Sequence, residues 1–115
     1  MRLYSVNELL SKQESLHGEQ VYIEGILNFE FEDTSLLHWP SSDRGKQSIW
    51  LQEGEGVFCF NNKKLESLHA RKIVCLGKVD SMKPEWGYGH MNLWSVQIIP
   101  QEIVYYKKWY EANET

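Results

Sequence analysis

Strict alternation over residues 21–31 constrains the fold of this chain more than any other feature. Every odd position from Val21 to Phe31 is apolar or glycine, and most even positions are polar. A period of two is typical of a β-strand with one buried face, and this run is long for a strand. Such a strand must bend to stay on a small core, and Gly25 in its interior tolerates a bend.

The remaining periodicities predict two helices and four more strands. Ser5 and Glu8 fit a capping box that opens a helix over about residues 5–16. Asn61 or Asn62 starts a second helix, which ends near Ala70. The later strands are predicted at residues 35–39, 48–52, 72–79 and 91–99, and residues 102–110 fit either a strand or a helix.

Residues 14–28 resemble residues 66–80, at an offset of 52 positions. Both segments contain Glu-Ser-Leu-His, followed by a strand pattern with an interior glycine. We interpret each as the end of a helix, a short turn and a strand that bends at glycine. This internal resemblance, which we call the sequence echo, occurs once and is too little for a repeat architecture. We therefore predict only two similar helix-to-strand joints.

The predicted element order is helix, three strands, helix and two strands, which indicates a mainly β (α+β) domain. A long first strand bent at glycine, with a helix between the third and fourth strands, is typical of a five-stranded Greek-key OB-like barrel. Barrel closure also removes exposed sheet edges. An open α+β sandwich is the alternative. We expect a single domain over residues 1–115, with a frayed tail at about 111–115.

Composition narrows the class of protein. Hydrophobic residues make up 42% of the chain and aromatic residues 13%, enough for a core. No apolar run reaches the length of about 18 residues that a membrane helix needs, and the first residues lack the pattern of a secretory signal. Cys59 and Cys75 lack metal-ligand or Cys-x-x-Cys spacing. We therefore expect a cytoplasmic protein without a disulfide scaffold or a structural zinc.

Acidic side chains are concentrated in the first half of the chain. Residues 14–55 contain nine acidic and two basic residues, whereas the net charge of the whole chain is −4. Glu24 lies on the predicted outward face of the long strand, as do Glu30 and Glu32. We predict that a basic partner binds an acidic face, because such a face speeds encounter and penalises wrong partners. The predicted face consists of Glu30, Glu32, Asp33, Glu53 and Glu55. A solvated strand surface is the alternative for any single glutamate.

The loop before the last predicted strand is rich in aromatic residues. Trp86 and Tyr88 alternate with glycines, and His90 follows them. Because Trp and Tyr are enriched at binding hot spots, we predict that both anchor the partner, with Trp39 and His90 in the same interface. The alternative is a hairpin turn whose aromatic rings fold back onto the rim of the barrel.

Two other classes of function fit the sequence less well. Single-stranded nucleic acid is the runner-up ligand, but phosphate binding needs a basic groove, and the first three strands are acidic. No metal-ligand spacing of histidines and no glycine-rich phosphate loop occurs, and a pairing of His90 with a carboxylate is the remaining catalytic alternative. We therefore predict no enzyme activity, no cofactor and no metal.

Three segments resemble a group of small bacterial proteins, namely HGEQVYIEGILNFEFEDTSLLHWPSSD, SIWLQ and GHMNLWSVQI. That group pairs a strand of the form HG-x-x-V-x-V-x-G-x-L-x-x-E-F-E with a later G-H-M near the last barrel strand. The resemblance covers most of residues 16–100. It implies an OB-like domain and, for some members, an immunity protein that neutralises a toxin; it implies no catalytic residue. Together with the acidic face, it predicts a non-catalytic module that covers the basic active-site cleft of a toxin.

Overall fold

The computed structural model shows a mainly β arrangement with three short helices among its described residues, which are 2–30, 33–39, 48–52, 62–82, 87–89, 91, 93–105 and 107. None of the helices in these ranges is long and apolar enough to cross a membrane. The elements in chain order are β1 (Leu3–Ser5), α1 (Val6–Ser11), α2 (Gln13–Leu16), β2 (Gln20–Glu30), β3 (Asp33–Leu37), β4 (Ser48–Leu51), α3 (Asn62–Leu68), β5 (Lys72–Asp80) and β6 (Gln97–Tyr105).

The six strands form one sheet in the order β1-β2-β3-β4-β6-β5, and β5 also pairs with β2. Strands β2 to β6 therefore pair in a ring, in which β4 and β6 are parallel and the other neighbours are antiparallel. β1 lies outside this ring and runs parallel to β2. It is an addition to the predicted layout, because three residues carry too little periodicity to identify a strand from sequence.

Strand β2 changes neighbours at Gly25. One edge of β2 pairs with β1 as far as Glu24 and with β3 from Ile26 onward. A Cβ atom at position 25 would lie 2.6 Å from the carbonyl oxygen of Leu37. The close approach of β3 therefore requires glycine at this position.

The predicted capping box is present at the start of α1. Ser5 Oγ accepts a hydrogen bond from the Glu8 N–H at 3.2 Å, and Glu8 Oε1 accepts one from the Ser5 N–H at 3.2 Å. The single helix predicted over residues 5–16 is instead two helices, because Lys12 leaves the helical conformation with φ −119° and ψ 14°. Ser11 Oγ donates to the Glu8 carbonyl oxygen at 2.7 Å, a local bond of the kind that weakens or bends a helix.

The last strand begins at Gln97 and not at Met91, so that part of the sequence prediction is wrong. Met91 has a left-handed φ of 55°. The backbones of Tyr88 and Trp94 exchange two hydrogen bonds of 2.8 and 3.1 Å. This pair is an isolated bridge outside the six-stranded sheet, and β6 pairs with its neighbours only after it. β6 continues to Tyr105, so the first part of the segment that fitted either a strand or a helix is strand.

A bulge accommodates a proline within β6. Gly77 lies opposite Pro100, whereas the preceding Leu76 lies opposite Glu102, so Gln101 is the extra residue. Proline has no N–H to donate to the ladder, and a bulge is one of the few positions in a paired strand that tolerate it.

The sequence echo corresponds to a local twofold relation between β2 and β5. Gln20 pairs with Lys78, and Ile26 pairs with Lys72. Moving 52 positions forward from Gln20 reaches Lys72, and moving 52 positions back from Lys78 reaches Ile26. The offset therefore exchanges the two strands and leaves their pairing unchanged.

The same offset relates the backbone hydrogen bonds at the two helix-to-strand joints. The Gly18 N–H donates to the carbonyl oxygen of Val79 at 2.8 Å, and the Ala70 N–H donates to that of Leu27 at 2.8 Å. Both donor residues have a positive φ, 81° at Gly18 and 62° at Ala70. The prediction of two similar joints is confirmed.

His17 and His69 occupy equivalent positions in these joints. The Ser81 N–H donates to His17 Nδ1 at 3.1 Å, and the Phe29 N–H donates to His69 Nδ1 at 3.0 Å. Each histidine lies just before one strand of the pair and satisfies a backbone donor near the end of the other. Both Nδ1 atoms are therefore engaged in structural hydrogen bonds.

The core combines one face of the strands with the apolar sides of α1 and α3. Along β2 the buried positions are the odd ones, as the alternation predicts. Cys75 is a buried cysteine within this core. The buried core residues are Val6, Leu9, Val21, Ile23, Leu27, Leu36, Ile49, Leu51, Leu65, Leu68, Ile73, Cys75, Val79, Val96, Ile98 and Ile103.

Candidate partner-binding site

Two predicted acidic residues lie opposite each other at the end of the β2–β3 hairpin. Glu30 is exposed and Asp33 is partly buried, and the two are direct cross-strand partners. Ser35 Oγ donates to Asp33 Oδ1 at 2.6 Å, which fixes the orientation of this carboxylate. Among the described residues, no lysine, arginine or histidine forms an ion pair with either carboxylate. Two like charges directly opposite each other destabilise a strand pair.

Five predicted contact residues lie outside the described residues: Glu32, Glu53, Glu55, Trp86 and His90. The structure therefore places four of the nine predicted contact residues, which are Glu30, Asp33, Trp39 and Tyr88.

Trp39 lies beside a lysine. Its side chain is 37% exposed, and Lys72 Nζ lies 2.8 Å from the centroid of its ring. Lys72 Nζ is also 3.9 Å from Glu24 Oε2, and both charged side chains are largely buried. The charge of Glu24 is thus directed at Lys72, and Glu24 does not add to the exposed acidic surface as its strand face suggested.

Burial dominates the electrostatics of the Glu24–Lys72 pair. Burial raises the pKa of the Glu24 carboxyl, and the attraction of Lys72 offsets only part of this effect. Burial also lowers the pKa of the Lys72 amine, against the opposing effect of Glu24. Both shifts favour the uncharged forms, so this ion pair adds little net stability.

Tyr88 is packed into the protein. It is 6% exposed, and its hydroxyl donates to Asp80 Oδ1 at 2.7 Å. Gln97 Nε2 donates to Asp80 Oδ2 at 2.9 Å. Burial alone would raise the pKa of Asp80. The hydrogen bonds from Tyr88, Gln97 and the Met82 N–H, together with the nearby His17, outweigh burial and hold the pKa below its ordinary value of 3.8. Tyr88 thus has the packing role that the sequence left open as the alternative to partner contact.

An open cleft of about 720 Å³ lies beside Asp33. We call it the Asp33 cleft. Its walls come from α1, α2, the first residues of β3 and β4, and the segment before β6. The lining residues are Asn7, Leu10, Ser11, Gln13, Asp33, Ser48, Leu93, Trp94 and Ser95. The cleft has the size of a typical small-ligand site, for which about 300–1,000 Å³ is usual.

Two features of the cleft wall are relevant to binding. The Trp94 indole is fixed by a hydrogen bond from Nε1 to Ser48 Oγ at 2.8 Å and by a tilted contact with Trp50, with ring centroids 4.8 Å apart. Asn7 Oδ1 is buried and has no hydrogen-bond partner among the described residues. Such an unsatisfied buried acceptor costs about 1–3 kcal/mol of stability.

Sequence reasoning identified Asp33 but missed the other cleft residues. Asn7, Ser48 and Trp94 lie far apart along the chain, and each belongs to a segment with an ordinary local pattern. Only the pairing of β3 with β4 and the packing of the N-terminal helices bring them together. The serines of the cleft and Asn7 belong to no sequence motif that could have revealed it.

No protein-family model matches this chain, and no curated protein matches it. Within the described ranges, the side chains of histidine, cysteine, aspartate and glutamate form no group of three that could hold a metal ion.

Proposed function

We propose that this chain is a cytoplasmic, non-catalytic protein-binding domain that uses the acidic end of the β2–β3 hairpin to bind a basic protein. Its most concrete form is an immunity-type protein that covers the basic active-site cleft of a toxin. This proposal includes further predicted contact residues, namely Glu32, Glu53, Glu55, Trp86 and His90. Tyr88 is instead packed against Asp80.

We further propose that the ring of strands is an OB-like barrel. The ring order β2-β3-β4-β6-β5 supports this assignment, and so does the position of α3 between β4 and β5 along the chain. The pairing of β2 with both β3 and β5 also supports it, because one strand then takes part in both halves of the ring.

The Glu30–Asp33 pair is the observation that carries the proposal. Direct opposition of two carboxylates weakens the hairpin, and no described base compensates for it. The arrangement is therefore unfavourable for folding alone. A cationic group of a partner that approaches both carboxylates would remove the repulsion, and exposed charges of this kind mainly raise the association rate.

A comparative pull-down from the native cell tests the proposal. The bait is the wild-type chain, and the test variant combines Glu30→Gln with Asp33→Asn, which keeps the shape of both side chains. We expect mass spectrometry to identify a basic protein that the wild type retains and the variant loses. With that partner purified, we expect the variant to associate about tenfold more slowly at low salt, and the difference to shrink as salt rises.

The matched control combines Glu14→Gln with Glu102→Gln. These substitutions change the net charge by the same amount at two exposed positions away from the hairpin end. The control should retain the partner as the wild type does. Equal loss with the control would show that net charge, and not the hairpin end, governs binding, and capture of no basic protein would contradict the proposal altogether.

The exposed indole of Trp39 favours a second candidate, the binding of single-stranded nucleic acid. An exposed indole can stack on bases, but the Lys72 amine beside it is buried next to Glu24 and is not placed to contact phosphate. Fluorescence polarisation with a labelled oligothymidylate at low salt tests this candidate. Tight, salt-sensitive binding that Trp39→Ala abolishes would favour nucleic acid over a basic protein.

A further inference from the structure

We propose that the Asp33 cleft binds an arginine side chain of a basic polypeptide. This inference rests on the proposed function and deepens it, because it names the chemical group that the acidic hairpin end recognises. The first argument is charge. Asp33 is the one charged residue among the described residues that line the cleft, so the cleft favours a cation over a neutral or anionic group.

The second argument is geometry. Ser35 Oγ holds one oxygen of the Asp33 carboxylate, which leaves the second oxygen for a ligand. Trp94 lines the same cleft, and its indole is held in place by Ser48 and Trp50. A fixed indole and a fixed carboxylate suit a planar guanidinium, which stacks on aromatic faces while it donates to an acid. An ammonium group lacks the planar face and fits this pair less well.

The third argument is size and lining. A cleft of about 720 Å³ is larger than one side chain needs, so it can admit arginine together with adjoining backbone. Leu10 and Leu93 provide apolar contacts for the methylene stem, and Leu93 is 72% exposed at the cleft.

NMR titration of the ¹⁵N-labelled chain with N-acetyl-arginine-N-methylamide tests the inference. We expect the Trp94 indole and the Asn7 and Ser95 amides to shift together, with a dissociation constant of about millimolar order for so small a probe. The corresponding lysine probe should bind more weakly. The citrulline probe, which has nearly the same shape without the charge, should not bind. Equal binding of citrulline would overturn the inference.

Asp33→Asn and Glu30→Gln form a matched pair of variants. They remove one charge each from two residues that face each other, but only Asp33 lines the cleft. We expect Asp33→Asn to weaken arginine binding by about tenfold or more and Glu30→Gln to leave it within about twofold. Similar weakening by both variants would indicate a diffuse electrostatic effect and would overturn the assignment of the cleft.

Leu93→Arg provides a test that removes no acidic group. Leu93 is exposed, so this substitution leaves the core intact, and the new guanidinium should occupy the cleft and block the probe. Unchanged probe binding in this variant would contradict the inference. If the pull-down yields a basic protein that requires the hairpin end but the arginine probe binds nowhere, the proposed function stands and the cleft assignment fails.

Discussion

Substitution of Gly25 or Gly77 by alanine should destabilise this protein far more than a typical glycine-to-alanine change. The two glycines are equivalent under the offset of 52 positions. A Cβ atom at position 25 would lie 2.6 Å from the Leu37 carbonyl oxygen, and one at position 77 would lie 2.7 Å from that of Ile99. Ordinary contacts begin at 3.4 Å, so each alanine overlaps a backbone atom by more than half an ångström.

The size of the expected loss in stability depends on which atoms must move to relieve the overlap. The Leu37 oxygen belongs to β3 and the Ile99 oxygen to β6, so relief requires a shift of a hydrogen-bonded strand and not of a side chain. Overpacking in a core costs about 1–3 kcal/mol and occasionally more, and we expect a loss of about 3 kcal/mol or more for each substitution. That is a large fraction of the total stability of a small domain, which is about 5–15 kcal/mol.

Urea unfolding followed by circular dichroism provides the measurement, with the free energy of unfolding taken from the midpoint and the slope. Gly18→Ala is the control. It meets no atom within 4 Å, and alanine already occupies the equivalent position 70 with φ 62°, so we expect a cost of only about 1 kcal/mol. The reasoning would be refuted if Gly25→Ala and Gly77→Ala lay within about 1 kcal/mol of the wild type, or if Gly18→Ala cost more than either.

Two further predictions concern hydrogen bonds that the structure reveals. Because the folded-state pKa of Asp80 is lowered, the stability it contributes is fully present above its ordinary pKa and is lost as pH falls through the folded value. Urea unfolding between about pH 2 and pH 7 should therefore show a loss of stability at acid pH that is smaller in Asp80→Asn than in the wild type. Tyr88→Phe should cost about 1.5–3 kcal/mol of stability at neutral pH. The same pH profile for the wild type and Asp80→Asn would contradict this reasoning. His69→Ala should selectively speed hydrogen exchange of the Phe29 amide, and His17→Ala that of the Ser81 amide, because each imidazole accepts that N–H. Unchanged protection of both amides would show that these bonds do not form in solution.

Part of the candidate site could be predicted from the sequence because charge is a local property. The acidic character of the hairpin end was visible in Glu30 and Asp33 without any structure. The partner of each carboxylate was not visible. Glu24 looked equivalent to Glu30 by strand parity, yet Lys72 from β5 lies beside Glu24 and none of the described bases lies beside Glu30. Neutralisation of a charge depends on long-range pairing, which periodicity does not encode.

Tyr88 shows the same limit for an aromatic residue. Its glycine-flanked setting is compatible both with exposure and with packing, and Asp80, which accepts its hydroxyl hydrogen bond, lies on another element. The Asp33 cleft was beyond prediction for a similar reason, since its walls join α1, two strands and the turn before β6.

The sequence by itself determined the features that depend on neighbours along the chain. Alternation specified the buried face of β2, Ser5 and Glu8 specified the start of α1, and the echo at 52 positions specified two matching joints. Tertiary structure alone decided which strands pair, where β6 begins and which carboxylates keep an unopposed charge. The physical reason is that a strand pattern reports only which face is apolar, whereas register, burial and ion pairing are set by backbone hydrogen bonds and contacts between distant segments.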